Sequence, residues 1–381
     1  MKVIAYYLPQ FHAIPENDEM WGEGFTEWVN VKKAKKLYKG HNQPRIPMNN
    51  NYYNLLDESV MKWQVDIAKD NGIYGFCFYH YWFDGKKLLE RPIENFLYNK
   101  NLDINFCLCW ANEPWTKAWV SKEDTILYEQ KYGEEDSWRR HFMYLLSFFQ
   151  DDRYIKENNK PLLIIYRPEQ INCLNSMLDF FDDLARENGF DGMIFAYQHI
   201  DFDLIRDKDD SRFSYNIEYE PLYAMTRRRN SNVIHKYMFN VGKYVDKCFL
   251  KIFNKTLSSI YIRKVRKYSY DEIWEKSNNV TEKCDKKLIA GAFVDWDNTP
   301  RRGMKGTVIE GASPEKFKRY FREKVRLVKD FYSTDYIFVF SWNEWAEGGY
   351  LEPDEKNRFG YLNAIRDVVY EEKSMCINVH L

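Results

Sequence analysis

Eight short apolar runs, spaced along 381 residues with helix-like stretches between them, limit this chain more than any other feature. The runs are Val3–Tyr7, Tyr74–Tyr79, Asn105–Trp110, Leu162–Tyr166, Met193–Tyr197, Phe213–Ile217, Ile289–Trp296 and Tyr336–Ser341. Each is short enough for a strand buried on both faces. Ser59–Asn71, Ser137–Phe149, Leu174–Asn188 and Pro314–Phe331 lie between them and carry apolar residues at helical spacing. Strands that alternate with helices form a parallel sheet, and eight of them predict a single (β/α)8 barrel over residues 1–381. A barrel of this kind gathers its chemistry at the C-terminal ends of its strands.

The residues after each run agree with that expectation. Pro9-Gln10-Phe11-His12 follows the first run, His80-Tyr81-Trp82-Phe83-Asp84 the second and Ala111-Asn112-Glu113-Pro114-Trp115 the third. Gln198-His199 follows the fifth, Glu218-Tyr219-Glu220 the sixth and Asp297-Asn298-Thr299-Pro300-Arg301-Arg302 the seventh. After the eighth comes Ser341-Trp342-Asn343-Glu344-Trp345-Ala346-Glu347-Gly348. Two carboxylates three residues apart, Glu344 and Glu347, sit there between tryptophans. Aromatic faces bind sugar rings, and paired carboxylates serve glycosidic-bond chemistry, so the block reads as a sugar-active site. The competing account is a structural pair capping a turn.

Other residues are candidates for holding substrate. His12, His80 and His199 are suited to hydrogen bonds with hydroxyl groups, or to a structural role. Trp82, Trp110, Trp115, Trp119 and Trp296 are candidate stacking platforms, some of them core. Asn112, Glu113, Glu218, Asp297, Arg301, Trp342, Asn343 and Trp345 complete the set, and Arg301 or Arg302 would keep one carboxylate ionised. Glu27 and Glu220 are further acidic candidates, more often caps or ion-pair partners. Asn112-Glu113 offers a rival pairing, with Glu113 as acid/base and Glu344 as nucleophile.

Some classes are not supported. No GxxxxGK[ST] or GxGxxG stretch occurs, and no HxH or HExxH spacing, so no cofactor and no metal is expected. Asp295-Trp296-Asp297 has the DxD shape, which alone is a weak signal. A net charge of −1 gives no argument for nucleic acid. Seven scattered cysteines without CxxC spacing argue against a disulfide framework. The opening residues enter a strand without a signal-peptide pattern, and no stretch reaches membrane-spanning length, so the expected compartment is the cytoplasm.

Residues 222–267 break the barrel rhythm. They hold twelve Lys or Arg, including Arg227-Arg228-Arg229, against one acid, Asp246. Apolar residues from Ile234 to Ile252 recur there at helical spacing, which predicts a basic helical insertion. Its basic face is either simply solvated or docks peripherally on an anionic membrane, where a lipid-linked saccharide would be found.

Long blocks carry a resemblance over almost the whole chain. They are AYYLPQFH from Ala5, GFTEWVNV from Gly24, GHNQPRIP from Gly40 and FCFYHYWFDGKKLLERP from Phe76. WANEPWTKAW from Trp110, WDNTPRR from Trp296 and SWNEWAEGGYLEP from Ser341 follow. The chain resembles the WbsX family of bacterial surface-polysaccharide proteins. Through the NEWxEG block it more distantly resembles the endo-α-mannosidase-like barrels of glycoside hydrolase family 99. The second resemblance implies Glu344 as base and Glu347 as acid, working through a 1,2-anhydro sugar. Ala346 stands where those hydrolases are expected to carry histidine, so the block bears on the pair rather than on the substrate. Three functions follow as expectations: a glycoside hydrolase or transglycosidase, a WbsX-type glycosyltransferase in O-antigen, lipopolysaccharide or capsule assembly, and a non-catalytic glycan-binding barrel. Retention of both glutamates argues against the third.

Overall fold

The computed structural model describes residues 1–116, 126–200, 209–226, 264–281, 283–285 and 287–378. Eight parallel strands close into a barrel: β1 (Lys2–Tyr7), β2 (Ile73–Phe83), β3 (Asn105–Trp110), β4 (Lys160–Ile165), β5 (Ile194–His199), β6 (Tyr215–Glu218), β7 (Leu288–Phe293) and β8 (Tyr336–Phe340). Neighbours in sequence are neighbours in space, and β1 closes the ring by pairing with β8 on one side and β2 on the other. The register Lys2↔Tyr336 through Ala5↔Val339 sets that seam.

Outside the ring lie α1 (Glu58–Asp70), α2 (Arg91–Tyr98), α3 (Glu135–Phe149), α4 (Leu174–Glu187), α5 (Tyr270–Ser277), α6 (Pro314–Phe331) and α7 (Gly360–Asn378). Their starts follow from sequence. Asp57 accepts the Ser59 amide at the head of α1, and Ser313 with Pro314 opens α6. In α6, Phe317, Tyr320, Phe321, Lys324, Val325 and Val328 are buried at helical spacing, so the core-facing stripe includes one lysine.

The barrel interior is aromatic. Tyr6 stacks on Tyr79 at 5.8 Å and meets Tyr219 and Phe338 at 5.6 and 5.5 Å. Fully burying rings of this size contributes roughly 1.5–3 kcal/mol each. Above this layer the interior opens toward the C-terminal strand ends.

The strand boundaries move one expectation. His80 to Phe83 do not follow β2 but belong to it, and Tyr81–Phe83 pairs antiparallel with Lys86–Leu88. Side chains alternate across a strand, so Tyr79 and Tyr81 share one face and His80 and Trp82 the other. The helical stripe expected between Ile234 and Ile252 lies outside the described residues, as does Trp119.

Candidate active site

The loop after β8 is shaped by its own side chains. Ser341 donates from its hydroxyl to the Gly349 carbonyl at 2.6 Å and accepts the Glu344 amide at 2.9 Å. Asn343 bonds both backbone groups of Leu8, accepting at 2.8 Å and donating at 3.0 Å, and so ties the end of β8 to the end of β1. Trp345 stacks on Tyr350 at 3.7 Å and donates its indole N–H to Glu352 at 2.7 Å. Trp342 is fully enclosed and packs on Phe76. With both tryptophans turned into the core, Glu344 and Glu347 line the cavity. Gly348 follows in the left-handed region at φ 69°, and a Cβ there would lie 2.9 Å from the Arg45 guanidinium. Only glycine suits that position.

The loop after β7 supplies the cation. Arg45 pairs with Asp295 at 2.9 Å. Asp297 bonds the rings and amides of the Gly40–Pro47 stretch, with His41 at 2.9 Å and Gln43 at 2.8 Å, and accepts the Thr299 hydroxyl. Burial would raise the Asp297 carboxyl, but the His41 hydrogen bond and the Arg45 charge outweigh it and hold it at about 2. This clamp sets the short helix Thr299–Arg302, from which Arg301 reaches inward. Arg301 meets Glu344 at 3.1 Å, Glu347 at 3.0 Å and Glu27 at 3.2 Å. Glu27 begins the short helix Glu27–Lys33 in the loop after β1.

Three carboxylates thus share one guanidinium that is 4% exposed. If all were ionised the cluster would carry an excess of two negative charges, which a buried site resists. The cluster therefore favours holding a proton: burial, opposed by Arg301 and reinforced by Glu347 and Glu27, pushes Glu344 up to about 8. Glu347 is the more open of the pair, with a fifth of its side chain exposed.

A cavity of about 380 Å³ stands over these groups, large enough for one or two sugar rings. Leu8, Tyr79, Tyr81, Trp115, Tyr166, Tyr219, Trp296 and Phe340 line it. Gln198 donates to the Tyr79 hydroxyl at 3.1 Å, and the Tyr79 and Tyr219 hydroxyls meet at 3.3 Å. Across the cavity, Glu113 is paired with Arg167, which also binds Glu169. Burial raises the Glu113 carboxyl despite that arginine.

Of the residues expected from sequence, Glu113, Trp115, Trp296, Arg301, Arg302, Glu344 and Glu347 line this cavity. The others do not. His80 is bonded to His141 at 2.9 Å, and Trp82 stacks on His141 at 4.7 Å, both on the α3 side of β2. Burial pushes His80 down to about 3 and His12 down to about 4, so both are neutral. Trp110 donates to the Trp82 carbonyl. Asn112 bonds the backbone of Arg167, at 2.7 Å from its amide and 2.8 Å to its carbonyl, and so orients the partner of Glu113. His199 packs against Tyr223 at 5.0 Å. Glu218 faces α6, where it meets Tyr332 at 2.9 Å and Lys324 at 3.5 Å. Asp297, Trp342, Asn343 and Trp345 are framework, as described.

Sequence reading passed over Tyr79, Tyr81, Tyr166, Tyr219 and Asn298 as lining residues. For the first two the signal was present: on a strand of period two, His80 and Trp82 cannot share a face with Tyr79 and Tyr81. Among the described residues, no group of three or more His, Cys, Asp or Glu side chains is arranged to hold a metal ion.

Comparison with known proteins agrees with this architecture. The family model described as Glycosyltransferase WbsX matches residues 3–365. Two curated relatives, from two strains of Xanthomonas campestris pv. campestris and both named Uncharacterized protein WxcX, are 32% identical over 394 residues. That match covers 99% of this chain but 52% of the relatives, so the chain spans about half their length. Among solved structures, a GH99 endo-alpha-mannosidase from Bacteroides thetaiotaomicron in complex with bis-tris propane superposes with a TM-score of 0.57. It does so at 13% identity, over 98% of this chain and 97% of that one. A glycoside hydrolase-like protein gives a TM-score of 0.55 at 11% identity, over 96% and 93%. At such identities the structural likeness shows the barrel fold, whereas the near-complete match to the family model shows the kinship: the chain belongs to the WbsX glycosyltransferase family.

Proposed function

We propose that this chain is a carbohydrate-active enzyme that breaks and re-forms glycosidic bonds of a bacterial surface polysaccharide, with Glu344 and Glu347 as the reacting pair. The observation that carries the reading is the Arg301 hub, which holds both carboxylates on one guanidinium beneath a cavity of sugar size. The family's description supports sugar chemistry, and the barrel supports the placement of the site.

In the proposed step the pair's single proton lies on Glu347, and ionised Glu344 takes the proton of a sugar 2-hydroxyl. The freed O2 attacks C1, the bond from C1 to the leaving oxygen breaks, and Glu347 gives that oxygen its proton. A 1,2-anhydro sugar results. An incoming hydroxyl then opens it at C1, loses its proton to Glu347, and O2 recovers its proton from Glu344. Both carboxyls end as they began. A base raised to about 8 suits a weakly acidic hydroxyl, since proton transfer is most effective when base strength is near the working pH. Water as the second hydroxyl gives hydrolysis, and a sugar gives transfer. The family's description favours transfer, and the acceptor we propose is a sugar or lipid-linked saccharide in O-antigen or capsule assembly.

The test incubates purified protein with α-linked oligosaccharides, with and without nucleotide sugars, and follows reducing ends, transfer products and released nucleotide. Products that form without nucleotide sugar, and fall by roughly 10³ in both Glu344→Gln and Glu347→Gln, are expected. Product that requires a nucleotide sugar would overturn the mechanism. Loss in Glu113→Gln, with Glu347→Gln active, would move the acid to Glu113.

A further inference from the structure

We propose that a basic ridge beside the cavity mouth docks this barrel on an anionic lipid surface, with the site facing the bilayer. The inference deepens the proposed function by naming where the saccharide is held, and it rests on that reading only for the purpose of docking.

Three segments build the ridge. The first carries the five lysines of the Lys32–Lys39 segment, all exposed, with no acid among them. The second carries Lys264, Arg266 and Lys267, and the third Arg302 and Lys305, again exposed. Specific contacts bring the three together. Lys267 lies over the Tyr38 ring at 3.3 Å and pairs with Glu310 at 2.9 Å. Arg266–Ser269 pairs in parallel with Thr307–Glu310, which places Arg266 beside Lys305. Tyr38 stacks on His41, whose ring is bonded to Asp297 just before the Thr299–Arg302 helix. Glu27, at the start of the helix that ends in Lys32 and Lys33, meets Arg301 of that helix.

Ten exposed basic side chains therefore stand in these segments against one exposed carboxylate, Glu310. The chain as a whole has a net charge of −1, so the concentration is local rather than compositional. Arg302 belongs both to the ridge and to the cavity wall, which joins the two. The cavity itself presents Glu344, Glu347 and Glu113. A polyanion threaded across both would meet opposite fields. A surface held by the ridge, with an uncharged sugar entering the cavity, meets neither conflict.

Apolar groups decide for lipid over nucleic acid. Tyr268 and Met304 are 37% and 40% exposed, and each stands among the basic residues of its own segment. Cations interleaved with apolar side chains match the headgroup boundary, where charge meets phosphate and apolar atoms reach the acyl region.

The test is co-sedimentation of the full chain with phosphatidylcholine vesicles, with and without about one-third phosphatidylglycerol, at low and high salt. Binding that requires phosphatidylglycerol and weakens at least tenfold at high salt is expected, because exposed charges are screened beyond about 10 Å at 0.1 M salt. Reversing Lys32, Lys33, Lys35 and Lys36 to glutamate should lower binding at least tenfold, and Lys264→Glu with Lys305→Glu should lower it independently. All six side chains are exposed, so unchanged thermal unfolding of both variants is expected. No binding by the parent protein, or equal binding by both variants, overturns the proposal. Tighter binding to a single-stranded oligonucleotide than to the vesicles also overturns it. Glu344→Gln should bind vesicles as the parent does, so failure of the catalytic reading and failure of docking are distinguishable.

Discussion

Two buried clusters in this barrel share one plan, a single cation among more carboxylates than it can neutralise, and have opposite surroundings. At the cavity, Arg301 serves Glu27, Glu344 and Glu347. Behind β6, Lys324 serves Glu218 at 3.5 Å and lies near Glu220, and all three are at most 1% exposed. In both, carboxylates outnumber the cation and burial raises one of them: Glu344 to about 8 and Glu220 to about 7. The second cluster is sealed between strand and helix, with Lys324 donating to the Ser277 carbonyl and Tyr332 to Glu218. A perturbed carboxyl is therefore not itself the mark of a site. What separates the two is access, because one shared proton is within reach of a ligand and the other is not.

The sharpest way to break the comparison is to remove each cation. Arg301→Met should lower activity at least a hundredfold while the protein stays folded, since the glutamates border a cavity that admits water. Lys324→Met should lower stability by about 3 kcal/mol and leave the kcat of the folded fraction unchanged, because two sealed carboxyls lose their partner. Urea unfolding and initial rates check both. Equal behaviour of the two variants would dissolve the distinction.

Acidity tests the same contrast more finely. Unfolded glutamates titrate near 4.3, whereas Glu344 and Glu220 hold their protons to about 8 and 7. Between those limits the folded state binds more protons than the unfolded, so stability falls as pH rises from about 5 to 8. Each such group contributes about 1.4 kcal/mol for every pH unit between its two values. Glu344→Gln should flatten part of that fall and Glu220→Gln another part, measured by denaturant midpoints. Only Glu344 should also shape activity: with Glu344 as base, kcat/KM rises with pH toward an inflection near 8. A kcat/KM that falls through that range would make Glu344 the acid.

The smallest expected effect concerns Trp345. Trp345→Phe should cost about 1 kcal/mol, the worth of its hydrogen bond to Glu352, and leave KM unchanged. A raised KM would return the ring to sugar stacking.

The sequence carried most of the barrel. Asn105–Trp110 and Pro314–Phe331 have the expected bounds, and the other strands differ by a few residues, because buried strands and capped amphipathic helices leave strong local patterns. The site was legible only where a residue's position on the strand end sufficed, as for Glu344, Glu347, Trp296 and Arg301. It failed for Trp342 and Trp345, whose direction is set by partners over distance, Phe76 and Glu352 among them. Glu27 shows the same limit. Nothing near it in sequence reveals that its partner is Arg301, 274 residues away.

The seam between β1 and β8 has a temporal consequence. Glu27 comes from the loop after the first strand, Arg301 from that after the seventh, and the glutamate pair from that after the eighth. The Asn343 stitch to Leu8 forms only when these distant segments meet. During synthesis, the ribosome must therefore deliver the eighth strand before the proposed pair can meet Arg301 and Glu27. On the proposed mechanism, a nascent chain is silent until its ring shuts.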